Sequence, residues 1–180
     1  MEAHGPLSFE THATSLDNEA GLASGWYDVD LSPRGEEQAR ELGERYAQVS
    51  LTRVYTSDLR RAVRTAEIAF GNRIPLTVDA RLRECDYGDL ARQPTAAIEA
   101  QRLERVHTPF PGGESYDACV GRMASFLADI SDAIVQPPVL IVGHRATWYA
   151  LECLLRHRPL ADVIAGPWQW QPGWKYRLPK

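Results

Sequence analysis

Short apolar runs alternate along the chain with longer segments whose apolar residues recur at helical spacing. Leu7 to Glu10 reads as a strand with Leu7 and Phe9 on one face. A Gly/Asp-rich loop runs on to Asp30. Ser32-Pro33 then reads as an N-cap followed by proline at the first helical position, which predicts a helix to about Gln48. Arg53 to Thr56 reads as a second strand, and Leu59 to Phe70 as a helix with the stripe Leu59, Val63, Ala66 and Phe70. Ile74 to Val78 reads as a third strand. Residues 85 to 114 are less regular, with one polar helix near Thr95 to Arg105.

The cleanest periodicity lies further on. Tyr116, Val120, Met123, Leu127, Ile130 and Ile134 form a core-facing stripe, which predicts a helix from Ser115 to Ile134. Val139 to Gly143 is a continuous apolar run, the signature of a strand buried on both faces of a parallel sheet. Thr147 to Leu155 reads as a buried helix and Trp174 to Leu178 as a last strand at an edge. Without repeats, low-complexity tracts or a splitting linker, the chain reads as one α/β domain over residues 1–180 with a mostly parallel sheet.

Composition narrows the function classes. The 180 residues carry 20 Lys+Arg, yet only Lys175 and Lys180 are lysines, so eighteen are arginines. A phosphate-binding loop of the G-x-x-x-x-G-K-[ST] kind is therefore excluded, and a Schiff-base lysine is left with two candidates near the end. The hydrophobic fraction of 44% and charged fraction of 24% fit a folded domain and argue against disorder. A net charge of −4 argues against general affinity for nucleic acid or an anionic membrane. No apolar run approaches the roughly 20 residues of a membrane span, and the first ten residues lack signal-peptide character. Cys85, Cys119 and Cys153 are odd in number with no C-x-x-C pair, so reduced thiols in a cytoplasm are expected.

In an open parallel sheet, ligands sit beyond the carboxyl ends of the strands. Three polar clusters are expected there. They are Thr11-His12-Ala13-Thr14-Ser15 with Asn18, then Thr56-Ser57-Asp58 with Arg60 and Arg61, then His144-Arg145-Ala146-Thr147. A single histidine after a strand is usually an ordinary loop or core residue. Two at equivalent places, with an arginine, converge on one rim near helix N-termini, where anions are favoured.

These blocks resemble the histidine phosphatase superfamily, the phosphoglycerate-mutase-like fold. Thr11 to Asn18 is similar to the R-H-G-x-T-x-x-N opening, and Gly25 to Ser32 with Gly35, Gln38 and Ala39 to G-x-x-D-x-x-L-T-x-x-G-x-x-Q-A. Ser57 to Ala62 with Thr65-Ala66 resembles S-D-L-x-R-A-x-x-T-A. Leu82-Arg83-Glu84 with Gly88 is similar to L-x-E-x-x-x-G. Pro111 to Ser115 reads P-G-G-E-S, and Val142-Gly143-His144 resembles the closing histidine block. The blocks run in order from about Leu7 to Leu155.

The resemblance implies a three-layer α/β/α fold and a metal-independent phosphatase acting on a small-molecule phosphate ester, with no cofactor. His12 would be the nucleophile and become phosphohistidine, with its other ring nitrogen donating to a carbonyl. Arg61 would clamp the phosphoryl group and His144 would donate to it as charge shifts. Glu84 would protonate the leaving oxygen and then accept a proton from water, a role that requires a carboxyl able to hold a proton near neutral pH. Thr11, Ser15, Asn18, Ser24, Gly25 and Arg145 would complete the phosphate and substrate pocket. Asp86 and Asp89 are rival acids beside Glu84, His107 and His157 belong to no motif, and Cys85 would line the pocket.

Two departures matter. Thr11 stands where the motif has arginine, and Ala13 where it has glycine. A charge-assisted hydrogen bond is worth roughly 1.5–3 kcal/mol, or about ten- to a hundredfold in rate, so the loss at Thr11 is large. Arg145 is one candidate to swing back and replace that charge. The other reading is a catalytically impaired phosphate-ligand-binding or regulatory domain. A phosphoglycerate-type mutase is disfavoured, because Cys85 follows the acid where mutases carry arginine and 180 residues leave no room for their insertions. A metal hydrolase through His12 and His144 lacks compact ligand spacing. Trp168, Trp170, Trp174 and Tyr176 crowd the tail. They read as a packed cap over the sheet edge, as an aromatic wall for the leaving group with Trp26 and Trp148, or as a subunit interface of a homodimer.

Overall fold

The computed structural model describes residues 6–132 and 138–178. Among the described residues five strands are formed: β1 (Pro6–Thr11), β2 (Arg53–Thr56), β3 (Leu76–Val78), β4 (Val139–Gly143) and β5 (Trp174–Arg177). The α-helices among the described residues are α1 (Leu16–Glu19), α2 (Pro33–Arg45), α3 (Arg60–Phe70), α4 (Thr95–Glu99), α5 (Tyr116–Asp132), α6 (Arg145–Arg156) and α7 (Leu160–Ala165). The strands make one sheet in the order β3-β2-β4-β1-β5. All pairings are parallel except that of β5, which runs antiparallel to β1 at the edge.

Strand alternation explains the layering. In β4, Val139 and Ile141 face one side and pack with Leu7, Phe9, Met123, Phe126 and Leu151, beneath α5 and α6. Leu140 and Val142 face the other side, with Leu42, Ala66, Ala69 and Phe70 of α2 and α3. A strand apolar at every position is thus one with a helical layer on each face. The register pairs Thr11 with Gly143 and Thr56 with Val142. The carboxyl ends of β1, β4 and β2 therefore finish side by side, and His12, His144 and Ser57 follow them directly.

Local chemistry sets the helix starts. Ser32 caps α2, its Oγ accepting from the Gly35 N–H at 3.1 Å, with Pro33 next. A Cβ at Gly35 would stand 1.9 Å from the Thr14 carbonyl oxygen, so only glycine lets α2 approach the segment after β1 this closely.

Several boundaries differ from the sequence expectation. α2 ends at Arg45 rather than Gln48, and β3 begins at Leu76 rather than Ile74. The polar helix expected to reach Arg105 is the short α4, ending at Glu99 and followed by turns. α6 starts at Arg145, two residues earlier than expected, because His144 already serves as its N-cap. α1 and α7 were not anticipated. Each is too short for a readable stripe. Ile134, the last residue of the α5 stripe, lies outside the described residues.

Candidate active site

The strand ends deliver the two histidines to one place, with ring centroids 5.0 Å apart. His12 leaves β1 with its N–H bonded to the Gly143 carbonyl at 2.8 Å. The following amides are also engaged. Ala13 donates to Thr65 Oγ1 (3.0 Å), Thr14 to Gln38 Oε1 (2.9 Å), Ser15 to Asn18 Oδ1 (3.0 Å) and Leu16 to the Asp30 carbonyl (3.1 Å).

The His12 ring is fixed by its Nδ1, 2.7 Å from the Ala13 carbonyl oxygen. A carbonyl only accepts, so Nδ1 carries the proton and Nε2 keeps its lone pair. Burial, then the nearby Arg61 charge, pushes the imidazole down to about 3, against the opposing pull of the Ala13 hydrogen bond. The ring is thus neutral at ordinary pH.

Arg61, in the first turn of α3, is 2% exposed. Its Nε–H donates to His12 Nε2 at 3.3 Å, while Nη2 and Nη1 donate to the carbonyls of Gly25 (2.8 Å) and Tyr27 (3.2 Å). Among the described residues no carboxylate forms an ion pair with it, and burial pushes its pKa down. A desolvated guanidinium bonded to carbonyls and a neutral imidazole, with no carboxylate paired to it among the described residues, favours an anion beside it. Gly25 sits at φ +55°, and a Cβ there would crowd Tyr87 and the Cys85 carbonyl at 3.0–3.2 Å. Glycine therefore lets this carbonyl turn toward Arg61.

His144 is 1% exposed and driven well below its usual value, first by burial and then by the charge on Arg61. Its Nε2 lies 2.7 Å from Ser57 Oγ, whereas its buried Nδ1 has no protein partner among the described residues. Its main-chain N–H donates to Thr147 Oγ1 at 3.0 Å, and that hydroxyl donates to the Leu82 carbonyl at 3.1 Å. Thr147 thereby ties the segment before Glu84 to the start of α6.

Glu84 receives three backbone donors. Cys85 N–H (2.8 Å) and Ala146 N–H (3.1 Å) reach Oε1, and Arg145 N–H (3.2 Å) reaches Oε2. Two of the three belong to the first turn of α6, so the carboxyl is oriented by the helix end rather than by a basic side chain.

These groups line one cleft of about 340 Å³. Thr11, His12, Asn18, Ser24, Gly25, Arg61, Glu84, His144 and Arg145 all face it. Ser15 does not. It is fully buried, and its Oγ accepts from the Asn18 N–H at 3.1 Å as the cap of α1, so its task here is to shape the turn. Asn18 has Oδ1 committed to Ser15, which leaves its amide NH₂ as the free donor. Ser24 Oγ donates to the buried Asp17 at 3.1 Å, and Asp17 pairs with Arg92 at 3.2 Å.

Other expectations sort plainly. Asp86 and Asp89 lie outside the cleft lining, and Asp86 Oδ1 accepts from the Gly88 N–H at 2.9 Å. Cys85 is buried away from the cleft, with its sulfur toward Glu114 and Cys119, because its backbone rather than its side chain turns to Glu84. His107 is an exposed partner of Asp117, and His157 ends α6 at φ 56°. Arg145 lines the cleft, but its guanidinium is tied to Glu99 at 2.6 Å and lies over the Tyr149 and Trp168 rings.

The tail divides in two. Trp174 and Tyr176 are core residues of β5. Trp168 stacks on Trp174 at 5.6 Å and still reaches the cleft, and Trp170 stands at its lip, 59% exposed. Trp26 and Trp148 do not line the cleft. Trp26 donates to the Glu84 carbonyl at 2.7 Å beneath the Arg83 guanidinium, and so braces the acid from behind. Sequence reasoning missed the contacts of Ser57, Glu99 and Trp26 with the site. Ser57 lay inside a quoted motif, but nothing in its spacing showed that it would meet His144.

A neutral histidine facing a buried arginine without an ion-pair partner among the described residues, with a second histidine and a carboxyl in the same cleft, is chemically suited to binding phosphate. The comparisons agree: residues 10–169 match the histidine phosphatase superfamily (branch 1), and the chain belongs to that superfamily. It is 35% identical over 153 residues to a Hydrogenobacter thermophilus protein named "Putative phosphoserine phosphatase 2", covering 80% of this chain and 75% of that one. Among solved structures it resembles a mycobacterial glucosyl-3-phosphoglycerate phosphatase (TM-score 0.80, 27% identity, 89% of this chain and 86% of that one). It also resembles the α-ribazole phosphatase of Shigella flexneri (TM-score 0.78, 26% identity, 88% and 83%). The names of these relatives point to phosphatase activity.

Proposed function

We propose that the chain hydrolyses a small phosphomonoester through a phosphohistidine on His12. The observation that carries this reading is the tautomer. Nδ1 is committed to the Ala13 carbonyl, so the lone pair is on Nε2, the atom that Arg61 touches. A phosphoryl group at that point would receive Arg61 on its oxygens and Nε2 on phosphorus.

Nε2 attacks phosphorus as the ester P–O bond breaks, and Glu84 delivers a proton to the departing oxygen. Water then attacks the phosphohistidine and gives a proton to Glu84. The P–N bond breaks, and its electron pair returns to Nε2. Glu84 suits this role better than Glu99, the other carboxylate of the cleft, because Glu99 is paired with both Arg102 and Arg145. If Ser57 donates to His144 Nε2, Nδ1 holds the proton and becomes a donor for a phosphoryl oxygen, which accounts for its lack of a protein partner. Arg145, Glu99, Trp168 and Trp170 would border the leaving group. No step requires a metal.

The test is to trap acid-labile phosphate from a panel of labelled phosphomonoesters. Label on the wild type and none on His12→Ala supports the reading, and no label on either across the panel refutes it. Thr11 favours a second reading, a phosphate-binding domain with impaired turnover. In that case inorganic phosphate binds while no ester in the panel is cleaved.

A further inference from the structure

Two cavities meet at the nucleophile. Besides the cleft, a second one of about 510 Å³ lies against α2 and is lined by Glu10, Thr11, His12, Arg34, Gln38 and Arg45 among others. Thr11, His12, Asn18 and Trp170 are walls of both. The short Thr11 side chain, standing where the superfamily motif has arginine, is therefore part of the divider.

Four arginines line the two cavities, and three are already held. Arg61 is bound by the Gly25 and Tyr27 carbonyls, and Arg145 by Glu99. Arg45 pairs at 3.2 Å with Glu10, which is 2% exposed. Only the Arg34 guanidinium makes neither an ion pair nor a hydrogen bond among the described residues. It lies in the first turn of α2, the turn pressed against the nucleophile segment. There Ser32 Oγ reaches the Thr14 carbonyl at 3.3 Å, Gly35 abuts Thr14, and Gln38 accepts from its N–H.

We propose that Arg34 is the second cation of the phosphoryl site, reaching past Thr11 to the oxygens of a group held at His12. This inference rests on the phosphate-site reading above. A phosphoryl dianion beside Arg61 retains uncompensated charge, because both histidines are neutral and Thr11 offers only a hydroxyl. An uncommitted guanidinium lining the cavity that shares Thr11 and His12 with the cleft is a source of the missing charge. Glu41 is the competing carboxylate of that cavity, but it lies seven residues further along α2, about 10 Å along the helix axis.

The test measures orthovanadate binding by calorimetry, with turnover of p-nitrophenyl phosphate and thermal midpoints alongside. The proteins are wild type, Arg34→Ala, Arg34→Lys and Arg34→Ala/Thr11→Arg. Arg34→Ala should weaken orthovanadate about ten- to a hundredfold with an unchanged midpoint. Arg34→Lys should fall between, and the double variant should regain wild-type affinity. Equal binding by wild type and Arg34→Ala overturns the inference, as does no binding by wild type or a folded double variant as weak as Arg34→Ala. Arg34-dependent binding without hydrolysis of any ester would leave the inference standing and refute only the phosphatase reading.

Discussion

Arg61 Nε donates to His12 Nε2 across 3.3 Å, so the proposed clamp and the proposed attacking atom are already in contact without a ligand. The contact helps explain why His12 stays neutral, because a proton on Nε2 would face the guanidinium charge.

Arg61→Ala should lower kcat/KM at least about a hundredfold, since it removes several charge-assisted bonds to the phosphoryl group. Arg61→Lys should restore little of this, because an ammonium cannot serve His12 and the carbonyls of Gly25 and Tyr27 with one planar fork. Steady-state turnover of p-nitrophenyl phosphate checks both. A lysine variant near wild type would contradict the fork geometry.

The two buried histidines make stability acid-sensitive. Unfolded, each titrates near its ordinary pKa of about 6.5. Folded, His12 is held down to about 3 and His144 well below its usual value. Above pH ~6.5 neither state binds the protons, and no stability difference arises. As pH falls below that, the unfolded chain takes up protons that the native chain refuses, and stability drops by about 1.4 kcal/mol per pH unit for each histidine. Urea denaturation in phosphate-free buffer between about pH 6.5 and 4 should show a shallower slope for His12→Ala than for wild type. Equal slopes would mean that His12 protonates normally when folded.

Ser57→Ala removes the only hydrogen-bond partner of the His144 ring among the described residues. Turnover should fall about tenfold through loss of the imposed tautomer, and stability by about 1–2 kcal/mol through a newly unsatisfied buried nitrogen. Ser57→Thr, which keeps the hydroxyl, should recover much of the turnover. Failure of that rescue in a folded variant would remove Ser57 from the tautomer argument.

The tail tryptophans should separate in their effects. Trp170→Ala should raise KM for bulky leaving groups and leave the thermal midpoint close to wild type, since the ring is exposed at the lip of both cavities. Trp168→Ala should also destabilise the protein by about 1–3 kcal/mol, because its ring packs on Trp148 and Trp174. Equal midpoints for the two variants would contradict this division.

The sheet and the long helices were legible because each imposes a period on the sequence. Val139–Gly143 is apolar throughout since helices cover both faces, and the α5 stripe repeats over four turns. α1, α4 and α7 were illegible or misjudged because four to six residues hold too little of a period. Of the site, motif order placed His12, Arg61, Glu84 and His144 in one cleft. What it could not give was the use of each polar atom. Ser15 looks like a ligand contact by position, yet its hydroxyl is consumed as a cap. Glu10 looks like the wet face of an edge-proximal strand. It is buried because Arg45 and Tyr46, at the end of α2, bond to it, a relation that spans 35 residues of chain.

The run from His12 to Leu16 leaves β1, crosses a loop and enters the first residue of α1. All five of its amides are nevertheless bonded, in turn to Gly143, Thr65, Gln38, Asn18 and Asp30. The conformational entropy of positioning the His12 backbone is therefore surrendered when the chain folds rather than when a ligand binds. A ligand entering the cleft thus meets a His12 segment whose backbone is already fixed.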